Sequence, residues 1–156
     1  MKNVEKRKVR YSLVRLLIIL AVVMSLSIDA ESATVYPDIN HVEYLENYDG
    51  DTIKVNLVGY KDIIGQKISI RVAGIDTPEI RAKCINEKME AIRAKRFVAK
   101  QLLFAKRIKI LNPERGKYFR IVGDVWYDGK LLSQQLLSEG LAIPYDGGKK
   151  TNPWCE

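Results

Sequence analysis

The sequence predicts a mainly β, α+β domain: a small five-stranded Greek-key barrel with two to three helices packed on it. Three observations carry that expectation. Between residues 42 and 75 apolar residues alternate with period two in short runs. After Pro78 the period lengthens to that of a helix. Two more strand-like runs and a shorter helical run follow, with no repeat of the kind that builds a parallel sheet. The 156 residues, 47% hydrophobic, suffice for one such core and are too few for two domains.

Residues 42–48 lead into Asp49-Gly50-Asp51, and residues 52–58 alternate Ile53, Val55 and Leu57 with Thr52, Lys54 and Asn56. The pair reads as a hairpin turning at Asp-Gly. Residues 59–66 read as a loop. Residues 67–75 point Ile68, Ile70 and Val72 inward and Ser69, Arg71 and Ala73 outward, a strand ending at Gly74 that carries Arg71 on the face away from the core. Over about 86–105 an amphipathic helix is expected, with Ile85, Met89, Ile92, Ala99 and Leu103 on its apolar face and Lys88, Arg93, Lys95 and Lys100 largely on its wet side. Residues 107–111 and 118–127 read as strands around an Asn112-Pro113 turn, and 131–139 as a helix closed by Gly140. The stretch beyond Tyr145 is turn-rich and reads as irregular. The domain is thus expected over 41–145, between a linker at 31–40 and a tail at 146–156.

The first 30 residues read as a leader. Lys2, Lys6, Arg7, Lys8, Arg10 and Arg15 face a single Glu5 up to residue 15, and residues 16–26 are apolar except for Ser25. This is the pattern of a signal peptide, with small residues offering cleavage after Ser27 or Ala30. The apolar run is short for a membrane span, so an exported, secreted or periplasmic protein is expected, with an uncleaved anchor facing outward as the alternative. In an oxidising compartment the only two thiols, Cys84 and Cys155, are expected to pair.

The formal net charge is +7, unevenly spread. Residues 81–120 hold 13 basic and three acidic residues, whereas 31–80 hold four basic and nine acidic ones. A basic surface beside an acidic pocket suits a polyanion held against a cation-dependent site. The single His41 excludes any centre built on two imidazoles, and two cysteines cannot close a four-thiolate site. Hydrolytic chemistry would therefore rest on carboxylates, arginines or a hard metal.

Three segments bring such groups to loop-adjacent positions: Asp49-Gly50-Asp51-Thr52, Arg71 with Asp76-Thr77-Pro78-Glu79, and Lys117-Tyr118-Phe119-Arg120. Asp51 and Asp76 with a backbone carbonyl are hard oxygen ligands, suited to Ca²⁺ or Mg²⁺. Glu79 is placed to take a proton from water near such an ion, and two guanidiniums can grip phosphate oxygens as charge builds.

These segments, in this order, resemble the staphylococcal nuclease (thermonuclease) family over about residues 42–145. The resemblance implies an OB-fold barrel and a calcium-dependent nuclease that hydrolyses DNA and RNA to 3′-phosphate and 5′-hydroxyl ends; no protein partner is implied, and a monomer is expected. It implies that Asp51, Asp76 and the Thr77 carbonyl bind calcium, that Glu79 is the general base, and that Arg71 and Arg120 bind phosphate. Lys117 and Tyr118 match positions lining the nucleotide pocket, and Tyr145 a second stacking position. Phe119 stands where the family usually has Gly, and Asp49 reads as a turn residue rather than a ligand. The competing classes are an OB-fold module that binds nucleic acid without cutting it and a membrane-tethered adaptor. A pure binder, however, has no use for carboxylates beside the phosphate.

Overall fold

The computed structural model describes residues 34–155. The leader expected over residues 1–30 lies outside them. Among the described residues no helix is long and apolar enough to cross a membrane.

Strands β1 (Val42–Asn47), β2 (Thr52–Leu57) and β3 (Ile68–Val72) form an antiparallel meander. Next in the chain come β4 (Ile75–Asp76), β5 (Ile108–Arg115) and β6 (Ile121–Tyr127), of which β6 pairs parallel with β3 and antiparallel with β5. The sheet order is therefore β1-β2-β3-β6-β5. Ahead of β1, Ile39 and Ile110 exchange two backbone hydrogen bonds of 2.9 Å, which carries the incoming chain onto β5. This is an α+β, OB-fold-like half-barrel: the alternating runs predict a small barrel with packed helices, and the resemblance implies the OB fold. Two short pairings complete it: β7 (Lys130–Leu131) on β6, and β8 (Ile143–Pro144) on β4. Ile53, Val55, Ile70, Val72, Ile110 and Val125, the inward members of the alternation, are fully enclosed.

Three helices are present among the described residues: α1 (Asp62–Gly65), α2 (Ile85–Leu103) and α3 (Leu132–Ser138). Helix α3 ends as expected, with Gly140 in the left-handed region at φ 66° and the Leu141 amide returning to the Leu136 carbonyl at 2.9 Å.

Several local expectations are corrected. Helix α2 buries Glu87, Ala91, Ala94, Val98 and Leu102, while Ile85, Met89, Ile92 and Leu103 face outward, with Ile85 72% exposed. The reason is proximity: a Cβ on Gly50 would lie 2.8 Å from the Ala94 Cβ, so the helix meets the barrel through small residues and its larger apolar ones point away. Asn112-Pro113 does not turn the chain. It is a bulge inside β5, with Asn112 at φ 48°, a register shift between Leu111 and Glu114, and Pro113 buried where a proline lacking its N–H can sit. The reversal comes later, in a 3-10 turn at Lys117–Phe119, so Tyr118 and Phe119 lie outside β6. The strand expected over 67–75 breaks at Ala73-Gly74 into β3 and β4, and the expected loop at 59–66 contains α1.

Candidate active site

The hairpin turn between β1 and β2 is built by Asp49, whose Oδ1 accepts the backbone N–H of Asp51 at 3.1 Å and of Thr52 at 2.8 Å. That turn fixes Asp51 at the start of β2. Thr52 pairs with Arg71 on β3, so the antiparallel register brings the β3 arginine level with the turn. Two residues past Gly74, the short β4 carries Asp76 to the same place. Burial and complementary charge do the rest: Arg71 Nη1 lies 2.8 Å from Asp51 Oδ2, and its Nη2 lies 3.0 Å from Asp76 Oδ1. Both carboxylates are buried, Asp76 being only 2% exposed, so the guanidinium bridge compensates charges that could not otherwise be left there.

Thr77 locks the two segments together. Its N–H and hydroxyl donate to Asp51 Oδ2 at 3.0 and 2.9 Å. Glu79 follows at the mouth, its side chain half-exposed and its backbone N–H bonded to Glu87 Oε1 at 3.1 Å. Thus Arg71, Asp51, Asp76 and Thr77 form one hydrogen-bonded unit, with Glu79 at its edge.

The donors of this unit load one oxygen of each aspartate. Among the described residues Asp51 Oδ1 accepts only the Thr52 hydroxyl, at 3.1 Å, and no donor reaches Asp76 Oδ2. Two carboxyl oxygens with spare lone pairs, both hard, fit a cation such as Ca²⁺ or Mg²⁺ and would not select a soft metal. The carboxylates do not supply a complete cage: Asp51, Asp76 and Glu79 do not gather three oxygens within 4.8 Å of one another, so carbonyl and water ligands would have to complete the shell. The one close trio among the described residues, Cys84, Glu87 and Cys155, is no metal centre, because its sulfurs are joined in a disulfide.

Burial and the neighbouring Asp51 charge push the Asp49 carboxyl up to about 7. Lys150, unremarked in the sequence beyond a turn-rich tail, enters the site: its Nζ lies 2.8 Å from Asp76 Oδ1 and 2.7 Å from Glu79 Oε1. Burial works against the ammonium, yet the hydrogen bonds to Asp76 and Glu79 outweigh it and raise its pKa above the ordinary value. Glu87 is the other residue sequence reasoning missed. Glu87 stands at the position that the Glu of a capping box takes, but the N-cap is Cys84 rather than Ser or Thr, and the carboxylate reaches back past the cap to the Glu79 amide.

The other expected residues lie apart from this unit. Arg120 lines a cavity of about 530 Å³ with Phe119, Tyr60 and Ile63, and no hydrogen bond or ion pair joins it to the carboxylates. Lys117 and Tyr118 sit on the exposed turn before β6, Tyr118 being 87% exposed. Tyr145 is tied beside β4, its N–H donating to the Gly74 carbonyl at 3.0 Å and its hydroxyl to the Gly148 carbonyl at 2.9 Å.

The chain is similar to several known proteins. Endonuclease YncB of Bacillus subtilis is 33% identical over 99 residues, which are 60% of this chain and 43% of that protein. A probable endonuclease of Schizosaccharomyces pombe is 32% identical over 93 residues, 55% of this chain and 40% of its own. A staphylococcal-like nuclease of Arabidopsis thaliana is 27% identical over 97 residues, 60% of this chain and 28% of its own. The chain thus spans less than half the length of these relatives. The model of the staphylococcal nuclease homologue family matches residues 69–153, from inside β3 through the tail, taking in Arg71, Asp76, Glu79, Arg120 and Lys150. With that match over more than half its length and the OB-fold-like barrel beneath it, the chain belongs to the staphylococcal nuclease family.

Proposed function

We propose that this domain is a calcium-dependent nuclease, exported from the cytoplasm, that hydrolyses the phosphodiester bonds of DNA and RNA to 3′-phosphate and 5′-hydroxyl ends as a monomer. The observation that carries this reading is the Arg71 guanidinium held between two buried aspartates with Glu79 at the mouth. A module that merely binds nucleic acid gains from basic and stacking groups. Carboxylates would repel the phosphates unless a cation joined them.

Asp51 and Asp76, with the Thr77 carbonyl, would hold calcium, which would supply positive charge to the scissile phosphate and to a water beside it. Arg71, whose two Nη atoms pair with Asp51 and Asp76, would turn its planar fork to two phosphate oxygens as calcium takes over those carboxylates, and Arg120, which lies apart from the unit, would have to swing toward it to act as the second guanidinium. Glu79 accepts the proton of the attacking water, its half-exposed side chain giving access to solvent. Lys117, Tyr118 and Tyr145 offer charge and ring faces to the nucleotides on either side.

The test is cleavage of DNA and RNA with added calcium and with chelator, followed by end-group analysis. Calcium-dependent loss of substrate with 3′-phosphate ends is expected; binding without cleavage under both conditions would leave the chain a nucleic-acid-binding module. In the same assay Glu79→Gln is expected to lower turnover by at least about 10²-fold while calcium binding persists. Cleavage by that variant at the parent rate would remove Glu79 from the mechanism.

A further inference from the structure

The tail that the sequence marks only as turn-rich is fastened at three points. Cys155 is bonded to Cys84 at the N-cap of α2, Asn152 Nδ2 donates to Glu87 Oε2 at 2.7 Å, and Lys150 reaches Asp76 and Glu79. Glu87 is buried, and its other oxygen holds the Glu79 backbone N–H. One enclosed carboxylate therefore ties the Glu79 segment to the tail, and the tail returns an ammonium to the Glu79 side chain. A lone surface lysine gains little from an ion pair, because ordering it costs side-chain entropy. With the tail fastened to Cys84 and to Glu87, whose carboxylate also holds the Glu79 amide, part of that cost is already met.

We propose that Lys150 is a positioning residue of the site: its ammonium bridges Asp76 and Glu79, offsets their mutual repulsion and aims the Glu79 carboxylate. The role assigned to Glu79 rests on the nuclease reading above. The oxygens used favour positioning over blockade. Lys150 takes Asp76 Oδ1, which Arg71 already loads, and leaves Asp76 Oδ2 and Asp51 Oδ1 without an ionic partner among the described residues. A divalent cation held by Asp51 and Asp76 would find carboxylate oxygens that the ammonium does not use, and the two would weaken each other through like charge.

The experiment compares Lys150→Met and Lys150→Arg with the parent full-length chain. Lys150→Met is expected to lower kcat about tenfold, the low end for a group that orients a functional residue, with KM for DNA within about twofold. Lys150→Arg is expected to retain at least about a third of kcat, because a charged donor of similar reach is kept. Calcium binding to the metal-free proteins, followed by calorimetry, is expected to tighten about threefold or more in Lys150→Met as one nearby positive charge is lost. Unchanged kcat in Lys150→Met, failure of Lys150→Arg to rescue, or unchanged or weaker calcium binding would each overturn the inference. If Lys150→Met matches the parent while Glu79→Gln is inactive, only this inference falls. A parent that cleaves nothing removes the nuclease reading instead, and the calorimetry then decides whether Lys150 shares the cation cluster.

Discussion

At the scale of single residues, Asp49 combines two roles that the turn motif alone does not reveal. It was legible as a hairpin residue, and it is one, but the fold also encloses its carboxyl beside Asp51 and lifts its pKa to about 7 from an ordinary 3.8. Between about pH 4 and 7 the folded chain therefore binds more protons at this site than the unfolded one. Its contribution to stability is full below the unfolded value and is lost as pH rises through the folded one. Asp49→Asn keeps an oxygen for the turn hydrogen bonds, so denaturant titrations from pH 4 to 7 are expected to show a flatter decline in the variant; an unchanged slope would place the titration elsewhere. Phe119 is the complementary case. Its backbone lies at φ 58°, in the left-handed region, which explains in steric terms why a glycine is at ease there. Phe119→Gly relieves that strain at the cost of a more flexible unfolded chain, so a net gain of up to about 1 kcal/mol is expected in urea denaturation.

At the scale of elements, legibility followed how strongly each one is two-faced. Strands β2 and β3 each set one wet side against one dry side, and the alternation of Ile53, Val55, Ile70 and Val72 gave them away. Helix α2 misled because its buried side is made of alanines, a valine, a leucine and a glutamate, whereas Ile85, Met89, Ile92 and Leu103 face solvent. Size and burial are decoupled there by the close approach of Gly50 to Ala94. The two faces are separable by mutation. Val98→Ala is expected to cost about 2 kcal/mol through lost contacts and a cavity, and Ile92→Lys to stay within about 0.5 kcal/mol. A larger loss from Ile92→Lys in chemical denaturation would mean that the outward face is covered in solution. The bulge at Asn112-Pro113 departs from expectation for a related reason: a dipeptide that ordinarily turns the chain sits inside a strand that runs on to Arg115.

At the scale of the whole molecule, the acidic half of the site was readable because the residues from Asp49 to Glu79 are close in sequence. Lys150 was not, since 71 residues separate it from Glu79 and only the folded tail brings them together. The bond that holds this tail spans 71 positions, and by chain-entropy arguments its reduction is expected to lower unfolding stability by about 4 kcal/mol, read as a shifted urea midpoint with and without reductant. The turn before β6 has a use beyond its geometry. Tyr118 and Phe119 stand almost wholly in solvent on a tight reversal, the kind of exposed aromatic pair at a loop tip that a chymotrypsin-like protease cuts first. A polynucleotide lying across that tip would screen it, so the rate of limited digestion becomes a footprint: slowed nicking at 118–119 on adding a short oligonucleotide would map the path of the strand without any measurement of its cleavage.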